Sequence, residues 1–322
     1  MSFPWLYLTL IKAIMMAPKQ RTAILAGLAV IGTIALLVWK PTVVIYGLQA
    51  AGLYASIAIP MGLILGIVHI VNLAHGEIMM VAAYATYFVC KALGMDPLLA
   101  IIPMALVMAA FGWVLFQLTI KRALKAPELN QLILTFGIAI ALSQSVNLLF
   151  TSQTYKLQLD YVSSSIDIGE LSFGTWSFVF VAVAILFTYG LKYFLTKTTT
   201  GKAALAVGQN PRGAAIVGID VYRIYALVFG LAIAMVGGMG ALFLTKSAIF
   251  PSVGGPFTMK SFCLIAMAGV GNIPGILGAS LLLGISENIL RAFRETRAWA
   301  DIVFFVLIIV VIMSRSLKGR KS

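Results

Sequence analysis

Long apolar runs separated by short polar connections follow one another along almost the whole chain. About 20 residues of α-helix cross the hydrocarbon core of a bilayer, so runs of this length predict membrane-spanning helices. The predicted spans are Thr22–Trp39, Thr42–Val71, Ile78–Cys90, Leu98–Ile120, Gln131–Phe150, Trp176–Leu195, Tyr222–Leu244, Met259–Ile289 and Ala300–Met313. The pattern therefore predicts an all-α fold, a polytopic transmembrane bundle of about eight to ten helical segments.

Two of these runs are too long for one straight helix and contain helix breakers. The run Thr42–Val71 includes Pro60, Gly62 and Gly66, so we expect a kinked or broken helix near residues 60–77. The run Met259–Ile289 is interrupted by Gly-Val-Gly-Asn-Ile-Pro-Gly at residues 269–275, which is too rich in Gly and Pro to continue a helix. This run predicts two helical pieces that meet in a turn, as two crossings or as a re-entrant pair.

Composition also indicates a membrane protein. Of the 322 residues, 61% are hydrophobic and 10% are charged, whereas soluble domains carry about 25% charged residues. Residues 1–322 are therefore interpreted as a single membrane domain without an attached soluble catalytic module. Cys90 and Cys263 lie in apolar segments and offer neither a disulfide framework nor metal-ligand spacing.

The formal net charge of +13 indicates how the chain is oriented. In a multi-pass membrane protein, excess Lys and Arg mark cytoplasmic loops and need not indicate nucleic-acid binding. With both termini inside and the Met259–Ile289 run split, the 23 Lys and Arg residues divide into fifteen inside and eight outside, Lys260 among the latter. A single crossing at that run would export the basic C-terminus, so the split is preferred. Residues 1–21 are predicted to be cytoplasmic or interfacial, without a cleavable signal peptide.

Two polar connections are long enough to have roles of their own. The predicted extracytoplasmic loop 151–175 carries Asp160, Asp167 and Glu170, and is either a docking surface or a solvated connection. In the predicted cytoplasmic loop 196–221, Asn210 followed by Pro211 predicts a helix start, and Gly218 predicts its end. A second short helix is expected from Lys202 to Val207. Helices this short need packing partners, either a motor subunit or the chain's own bundle.

Polar side chains inside the apolar runs are the candidate pathway residues. Asn72, His75 and Glu77 lie in the middle of a long apolar stretch, where they either contact a solute or cap a helix; Asn72 is a candidate N-cap, and His75 and Glu77 a candidate pair. Ser143, Gln144 and Asn147 either line a pathway or bond to neighbouring helices. Glu287 and Arg291 are spaced for an i, i+4 ion pair, with a gate element as the second interpretation.

Sequence motifs for enzyme chemistry are missing. The chain has no Gly-x-x-x-x-Gly-Lys-Ser/Thr motif for ATP, no His-Glu-x-x-His motif and no Gly-x-Ser-x-Gly motif. Its two histidines, His69 and His75, provide little material for zinc or triad catalysis. An enzyme such as an intramembrane hydrolase is therefore disfavoured, and energy for transport would come from a partner.

Three motifs occur in a fixed order along the chain, and they read Ile70-Val-Asn-Leu-Ala-His-Gly-Glu77, Gly208-Gln-Asn-Pro-Arg-Gly-Ala-Ala-Ile-Val-Gly-Ile-Asp220 and Gly269-Val-Gly-Asn-Ile-Pro-Gly-Ile-Leu-Gly278. Together they resemble the permease of branched-chain amino acid ABC importers, a family that also includes urea and short-chain amide permeases. The resemblance runs from Ile45 to Ile312. It stops before the tail, where Ser314-Arg-Ser-Leu-Lys-Gly-Arg320 departs from the Arg-Pro-x-Gly-like run of relatives.

The resemblance implies a complex in the bacterial inner membrane. Its expected parts are this chain, a second homologous permease subunit, two ATP-binding subunits that hold ATP and Mg, and an extracytoplasmic solute-binding protein; the chain itself is expected to carry no catalytic residue, cofactor or metal. The residues that match the family's coupling helix are Gln209, Asn210, Pro211, Arg212, Gly213, Ala214, Ala215 and Gly218. The expected pathway residues are Asn72, His75, Glu77, Ser143, Gln144, Asn147, Asn272 and Pro274.

Other functions stay open at this point. Within the same family, urea or a short-chain amide is the alternative cargo to an aliphatic amino acid. A stand-alone channel or an ion-coupled secondary transporter would also use broken helices at mid-depth, and differs in its energy source. A membrane scaffold that transports nothing would have no need of polar breaks at depth.

Overall fold

The computed structural model describes residues 41–168, 171–302, 304–310 and 313. The predicted first span, the N-terminal segment and the C-terminal tail lie outside these residues. Within them, seven helices are long and apolar enough to cross a membrane. The predicted all-α polytopic bundle is confirmed, with one small β-hairpin added at the edge.

Ten of the helices in the described part are given labels. They are α1 Pro41–Ile67, α2 His75–Leu93, α3 Pro97–Leu115, α4 Glu128–Phe150, α5 Phe178–Lys197, α6 Thr199–Gln209, α7 Pro211–Ile216, α8 Val221–Lys246, α9 Gly254–Ala268 and α10 Ile273–Ala292. A π-helical turn, Phe116–Ile120, and the short helix Lys121–Ala123 continue α3. Short 3₁₀ turns occupy Asp160–Val162 and Arg297–Trp299, and residues 304–310 are helical.

Local sequence sets many of the helix boundaries. Asp96, Thr198, Asn210, Asp220 and Asn272 each precede a helix and accept a hydrogen bond from a backbone N–H of its first turn. In three of these helices a proline occupies the first turn, where its missing N–H costs nothing. Side chains close by in the sequence therefore fix where these five helices start.

The first long run breaks later than its proline suggests. Helix α1 is 27 residues long, continues past Pro60 and ends at Ile67. Residues 68–74 are not helical, and α2 begins at His75. A break within residues 60–77 is thus confirmed, but Pro60 does not cause it, since buried membrane helices tolerate proline when neighbours satisfy the freed groups.

The second long run is split where the glycines predicted it. Helix α9 ends at Ala268, Gly269 has a φ of 93°, and α10 starts after Asn272. However, α9 begins at Gly254, before the predicted boundary at Met259. Lys260 therefore lies inside a helix, and its assignment to an outer loop is wrong.

Two three-helix units of the bundle are inverted relative to each other. Helix α3 packs along α8 as α10 packs along α1, while α1 meets α8 and α2 meets α9. Helix α1 ends beside the 196–221 loop, because a Cβ on Gly208 would lie 3.1 Å from the Gly66 carbonyl oxygen. Helix α8 starts directly after that loop and runs the opposite way. Both units, α1–α2–α3 and α8–α9–α10, contain a non-helical break, residues 68–74 and 247–253.

The 151–175 loop is folded against the end of the bundle opposite the 196–221 loop. Strands β1 Ser165–Ile168 and β2 Leu171–Gly174 form an antiparallel hairpin within it, with Ser165 opposite Gly174. Tyr155 exchanges two backbone hydrogen bonds with Ile249 of the second break. Tyr161 donates a hydrogen bond to Asp96 Oδ1 at 3.0 Å. The pKa of Tyr161 is raised above its usual value, mainly by burial of the phenol and secondly by this hydrogen bond.

Candidate functional site

The first break returns the chain to the middle of the bundle. His75, the first residue of α2, is completely buried, and its Nε2 lies 2.8 Å from the carbonyl oxygen of Ile57. Ile57 precedes the end of α1 by ten residues, which is roughly 15 Å along a helix axis. Helix α2 therefore starts at depth and not at the end of the bundle.

The second break, residues 247–253, leads the chain into the middle of the bundle from the opposite end. Ser143 donates a hydrogen bond from its hydroxyl to the carbonyl oxygen of Pro251 at 2.6 Å. Ser143 lies seven residues before the end of α4, roughly 10 Å below the end nearest the 151–175 loop. Helix α9, which begins three residues after Pro251, also starts inside the bundle.

The two helix N-termini meet at this depth. A Cβ on Gly76 would lie 2.0 Å from the Gly254 carbonyl oxygen, and a Cβ on Gly254 would lie 2.4 Å from the Gly76 carbonyl. Only glycine permits this approach of the two backbones. Each N-terminus carries unpaired N–H groups and a partial positive charge, so their meeting requires acceptors from both helices.

Each helix supplies an acceptor to the other. Thr258 of α9 accepts a hydrogen bond through its hydroxyl from the Gly76 N–H at 2.8 Å. The buried Glu77 carboxylate of α2 is hydrogen bonded to the backbone of Gly255. The carboxylate therefore lies where the positive ends of two helices converge. We call residues 72–77 and 254–258 the junction.

The junction corrects two predictions. His75 and Glu77 do not pair, since His75 bonds to Ile57 and Glu77 to the Gly255 backbone. Asn72 is not the N-cap of α2, because Ala74 holds that position; the Asn72 Oδ1 instead accepts from the Ala74 N–H at 3.1 Å. The physical reason is that α2 draws its capping acceptor from α9, which the local sequence does not show.

Three buried polar atoms of the junction lack a partner. They are Asn72 Nδ2, His75 Nδ1 and Glu77 Oε2. Buried polar groups are rarely left unpaired without a functional reason. The junction thus offers both donor and acceptor capacity to a polar molecule at the centre of the bundle.

The other predicted pathway residues are distributed over the bundle. Ser143 reaches the second break, Asn147 accepts from the Ser152 hydroxyl at 2.9 Å, and Gln144 is exposed on the surface of α4. Asn272 caps α10 by accepting from the Gly275 N–H, and Pro274 follows it in the first turn of α10. Both belong to the end near the 196–221 loop, because Gly271 lies against Gly66. The eight residues do not form one cluster.

A buried charge network connects α1, α9 and α10. Glu287 is fully buried and contacts Lys260 Nζ at 2.9 Å, Arg291 at 2.5 Å and the Tyr54 hydroxyl at 2.7 Å. Arg291 also reaches Asp301 at 3.0 Å. The predicted Glu287–Arg291 ion pair is confirmed. Lys260 and Tyr54 were missed, because they come from distant parts of the chain and no spacing rule connects them to Glu287.

The 196–221 loop forms two helices packed under the bundle. The predicted start of α7 is confirmed, with Asn210 Oδ1 accepting from the Gly213 N–H at 2.9 Å, and Gly218 follows the helix with a φ of 85°. Helix α6 is longer than the Lys202–Val207 prediction. Ala214 is buried, whereas Ile216 is 87% and Val217 75% exposed. The loop therefore presents an apolar tip, Ile216 and Val217, away from the bundle.

A cavity of about 790 Å³ separates α7 from the first break. Its lining residues include Val68, His69, Glu128, Gln131, Pro211 and Arg212. His69 has a φ of 60°, which is unusual for a residue other than glycine. Hence α7, the start of α4 and the first break line one cavity.

Comparison with known proteins agrees with this architecture. Residues 43–312 match the family described as branched-chain amino acid transport system / permease component. The chain belongs to this family. Membership confirms the resemblance seen in the sequence and shows a multi-pass membrane permease of the amino-acid transport type.

Curated relatives from bacteria and archaea match over most of their length. The high-affinity branched-chain amino acid transport system permease protein LivH of Escherichia coli is 29% identical over 280 residues, 83% of this chain and 91% of the relative. BraD of Pseudomonas aeruginosa is 28% identical over 284 residues, 84% and 92% of the two chains. The probable LivH of Methanocaldococcus jannaschii is 26% identical over 255 residues, 76% and 81%. No solved structure matches the chain.

Proposed function

We propose that this chain is one of two permease subunits of an ATP-driven importer, and that it forms half of the translocation pathway. The single observation that carries the proposal is the apolar tip of α7. Ile216 and Val217 are large, apolar and exposed at the end of a polar connecting loop. Exposed apolar groups of this kind mark protein contact sites when they project from an anchored element.

The partners follow from the same surface and from the family. Two ATP-binding subunits, which hold ATP and Mg, would each receive a helix such as α7 in a cleft. A second, homologous permease would complete the pathway, and a solute-binding protein would dock near the 151–175 loop. The 196–221 loop then faces the cytoplasm of a bacterial cell, with both termini on that side of the inner membrane.

Transport would proceed by movement of the breaks. Residues Gln209 to Gly218 would act as the coupling element. A movement of α7 that closes the neighbouring cavity would press on the first break and on the start of α4. The polar face of α4, with Gln144 and Asn147, and the junction residues Asn72, His75 and Glu77 are proposed to meet the cargo. Asn272 and Pro274 are proposed to border its exit near the 196–221 loop.

The cargo is proposed to be a small zwitterionic amino acid with an aliphatic side chain. The relatives LivH and BraD are named as permeases of branched-chain amino acid transport systems, which supports this choice. In proteoliposomes that contain the complete complex and its binding protein, ATP-dependent uptake of labelled leucine is expected. Uptake of urea or an amide in place of leucine would reassign the cargo, and uptake by this chain without ATPase subunits would refute an importer.

Substitution of the tip tests the coupling role directly. Ile216→Asp places a charge on the exposed tip, and we expect loss of co-purification with the ATP-binding subunits and loss of uptake. Ile166→Asp is the matched control for co-purification, since Ile166 is an exposed isoleucine at the end of the bundle opposite the 196–221 loop. Retained ATPase binding and uptake in Ile216→Asp would remove the coupling role from α7.

A further inference from the structure

Helix α4 is attached to the bundle by few contacts. Only 17% of its most apolar stretch is buried, compared with 78% for α1 and 72% for α8. Its buried residues, Thr135, Ala139 and Val146, form one narrow stripe. A helix held in this way has freedom to move relative to the two central helices.

Two hydroxyl groups on this side of α4 reach the two breaks. Thr135 Oγ1 donates to the Val71 carbonyl oxygen in the first break at 3.1 Å, and also lies 3.1 Å from the Leu132 carbonyl oxygen. Ser143 Oγ donates to the Pro251 carbonyl oxygen in the second break at 2.6 Å. Thr135 is buried and Ser143 is half-buried. One helix therefore bonds to both breaks at points eight residues apart.

The breaks need such donors. Backbone carbonyl groups in non-helical segments at membrane depth cannot be satisfied by lipid, so the protein must supply their partners. The two segments belong to the two inverted units and approach the bundle centre from opposite ends. Since an α-helix is stiff over this length, a displacement of α4 acts on both segments at once.

The start of α4 lies beside the proposed coupling element. Glu128 and Gln131 of its first turn line the same cavity as Pro211 and Arg212 of α7. Helix α7 and the first turn of α4 therefore face each other across this cavity, and α4 extends from there to Thr135 and Ser143.

We propose that Thr135 and Ser143 are positioning residues, through which α4 holds the two breaks as one mechanical unit and shifts them together during transport. The transport step rests on the proposed importer function. The linkage of the breaks through α4 does not, and it has a test of its own. Ser143 is thereby assigned to the second break and not to direct contact with the cargo.

Hydrogen–deuterium exchange of the purified complex tests the linkage. Thr135→Val removes the hydroxyl bonded to the first break, and Ser143→Ala removes the one bonded to the second. Each variant is expected to increase exchange in both segments, 68–74 and 247–253, including the segment that it does not touch. Thr188→Val is the matched control, because the buried Thr188 hydroxyl bonds within its own helix to the Ala184 carbonyl oxygen.

Transport by the same variants tests the role in the reaction. Uptake per assembled complex is expected to fall roughly tenfold, with more ATP hydrolysed per solute moved, because hydrolysis no longer shifts both breaks. Thr135→Ser and Ser143→Thr restore a hydroxyl and are expected to restore coupling. Thr188→Val is expected to match the unsubstituted complex in both measurements.

Specific results would overturn the proposal. Faster exchange confined to the segment whose bond was removed would show that α4 does not link the breaks. Normal uptake and coupling in both Thr135→Val and Ser143→Ala would remove the positioning role. A loss of uptake explained by reduced assembly alone would do the same. If both variants increase exchange in both segments but the unsubstituted complex shows no ATP-dependent uptake, the importer function fails while the linkage through α4 stands.

Discussion

The units α1–α2–α3 and α8–α9–α10 share one architecture but stabilise their buried carboxylates differently. In the first unit, Glu77 lies at a helix N-terminus and is hydrogen bonded to the backbone of Gly255, with no ion pair among the described residues. In the second unit, Glu287 lies near a helix C-terminus and is surrounded by Lys260, Arg291 and Tyr54. A repeated backbone plan thus does not require repeated chemistry.

The difference is informative about function. A carboxylate paired with two cations and a phenol is fully engaged and fixes three helices together. A carboxylate stabilised by helix ends keeps one oxygen, Glu77 Oε2, without a partner. We therefore expect the second unit to provide rigidity and the first unit to provide the polar contact at the centre.

The largest expected effect is at Glu287. Glu287→Ala leaves Lys260 buried without its counter-charge, which we expect to lower the free energy of unfolding by about 3–5 kcal/mol. Thermal unfolding in detergent measures it. The double variant Lys260→Met with Glu287→Leu should recover most of the loss, and Asp301→Ala, at the exposed end of the network, should cost about 1 kcal/mol or less. A small loss of stability in Glu287→Ala would contradict the rigidifying role assigned to the second unit.

A moderate effect is expected at Glu77. Glu77→Gln removes the charge that two helix N-termini stabilise, at a cost of about 1–2 kcal/mol. If Glu77 contacts the cargo, uptake per folded complex should also fall. For the stability measurement alone, Glu128→Gln is the control, since Glu128 is an exposed carboxylate in the first turn of α4, and about 0.5 kcal/mol is expected there. Equal changes in both variants, with normal uptake, would leave Glu77 a capping residue only.

The smallest expected effect is at the 151–175 loop. Tyr161→Phe removes the hydrogen bond to Asp96 and is expected to cost about 1 kcal/mol. Because the pKa of Tyr161 is raised in the folded protein, its contribution is complete below about pH 10 and is lost as the pH rises above the pKa of an unfolded tyrosine. Unfolding from pH 8 to 11 should show a steeper loss of stability in the unsubstituted chain than in the variant. Parallel curves would contradict this.

The sequence predicted the local features of the protein for local reasons. Hydrophobic run length predicted the membrane helices, the Asn210-Pro211 signal predicted one helix start, and the glycines and proline of residues 269–275 predicted the split of the second long run, because these effects act within a few residues. The Glu287–Arg291 pair was also predictable, as its members lie one turn apart. The family followed from three ordered motifs.

The amino-acid sequence by itself determined that this chain is a membrane helical bundle with two interrupted runs and a short capped helix between spans. Only the tertiary structure decided that two helices begin at mid-depth against each other, that Thr258 and Glu77 cap opposite helices, and that Lys260 is buried beside Glu287. These contacts join residues far apart in the chain. They depend on which helices pack against one another, and no local spacing rule connects those residues in the sequence.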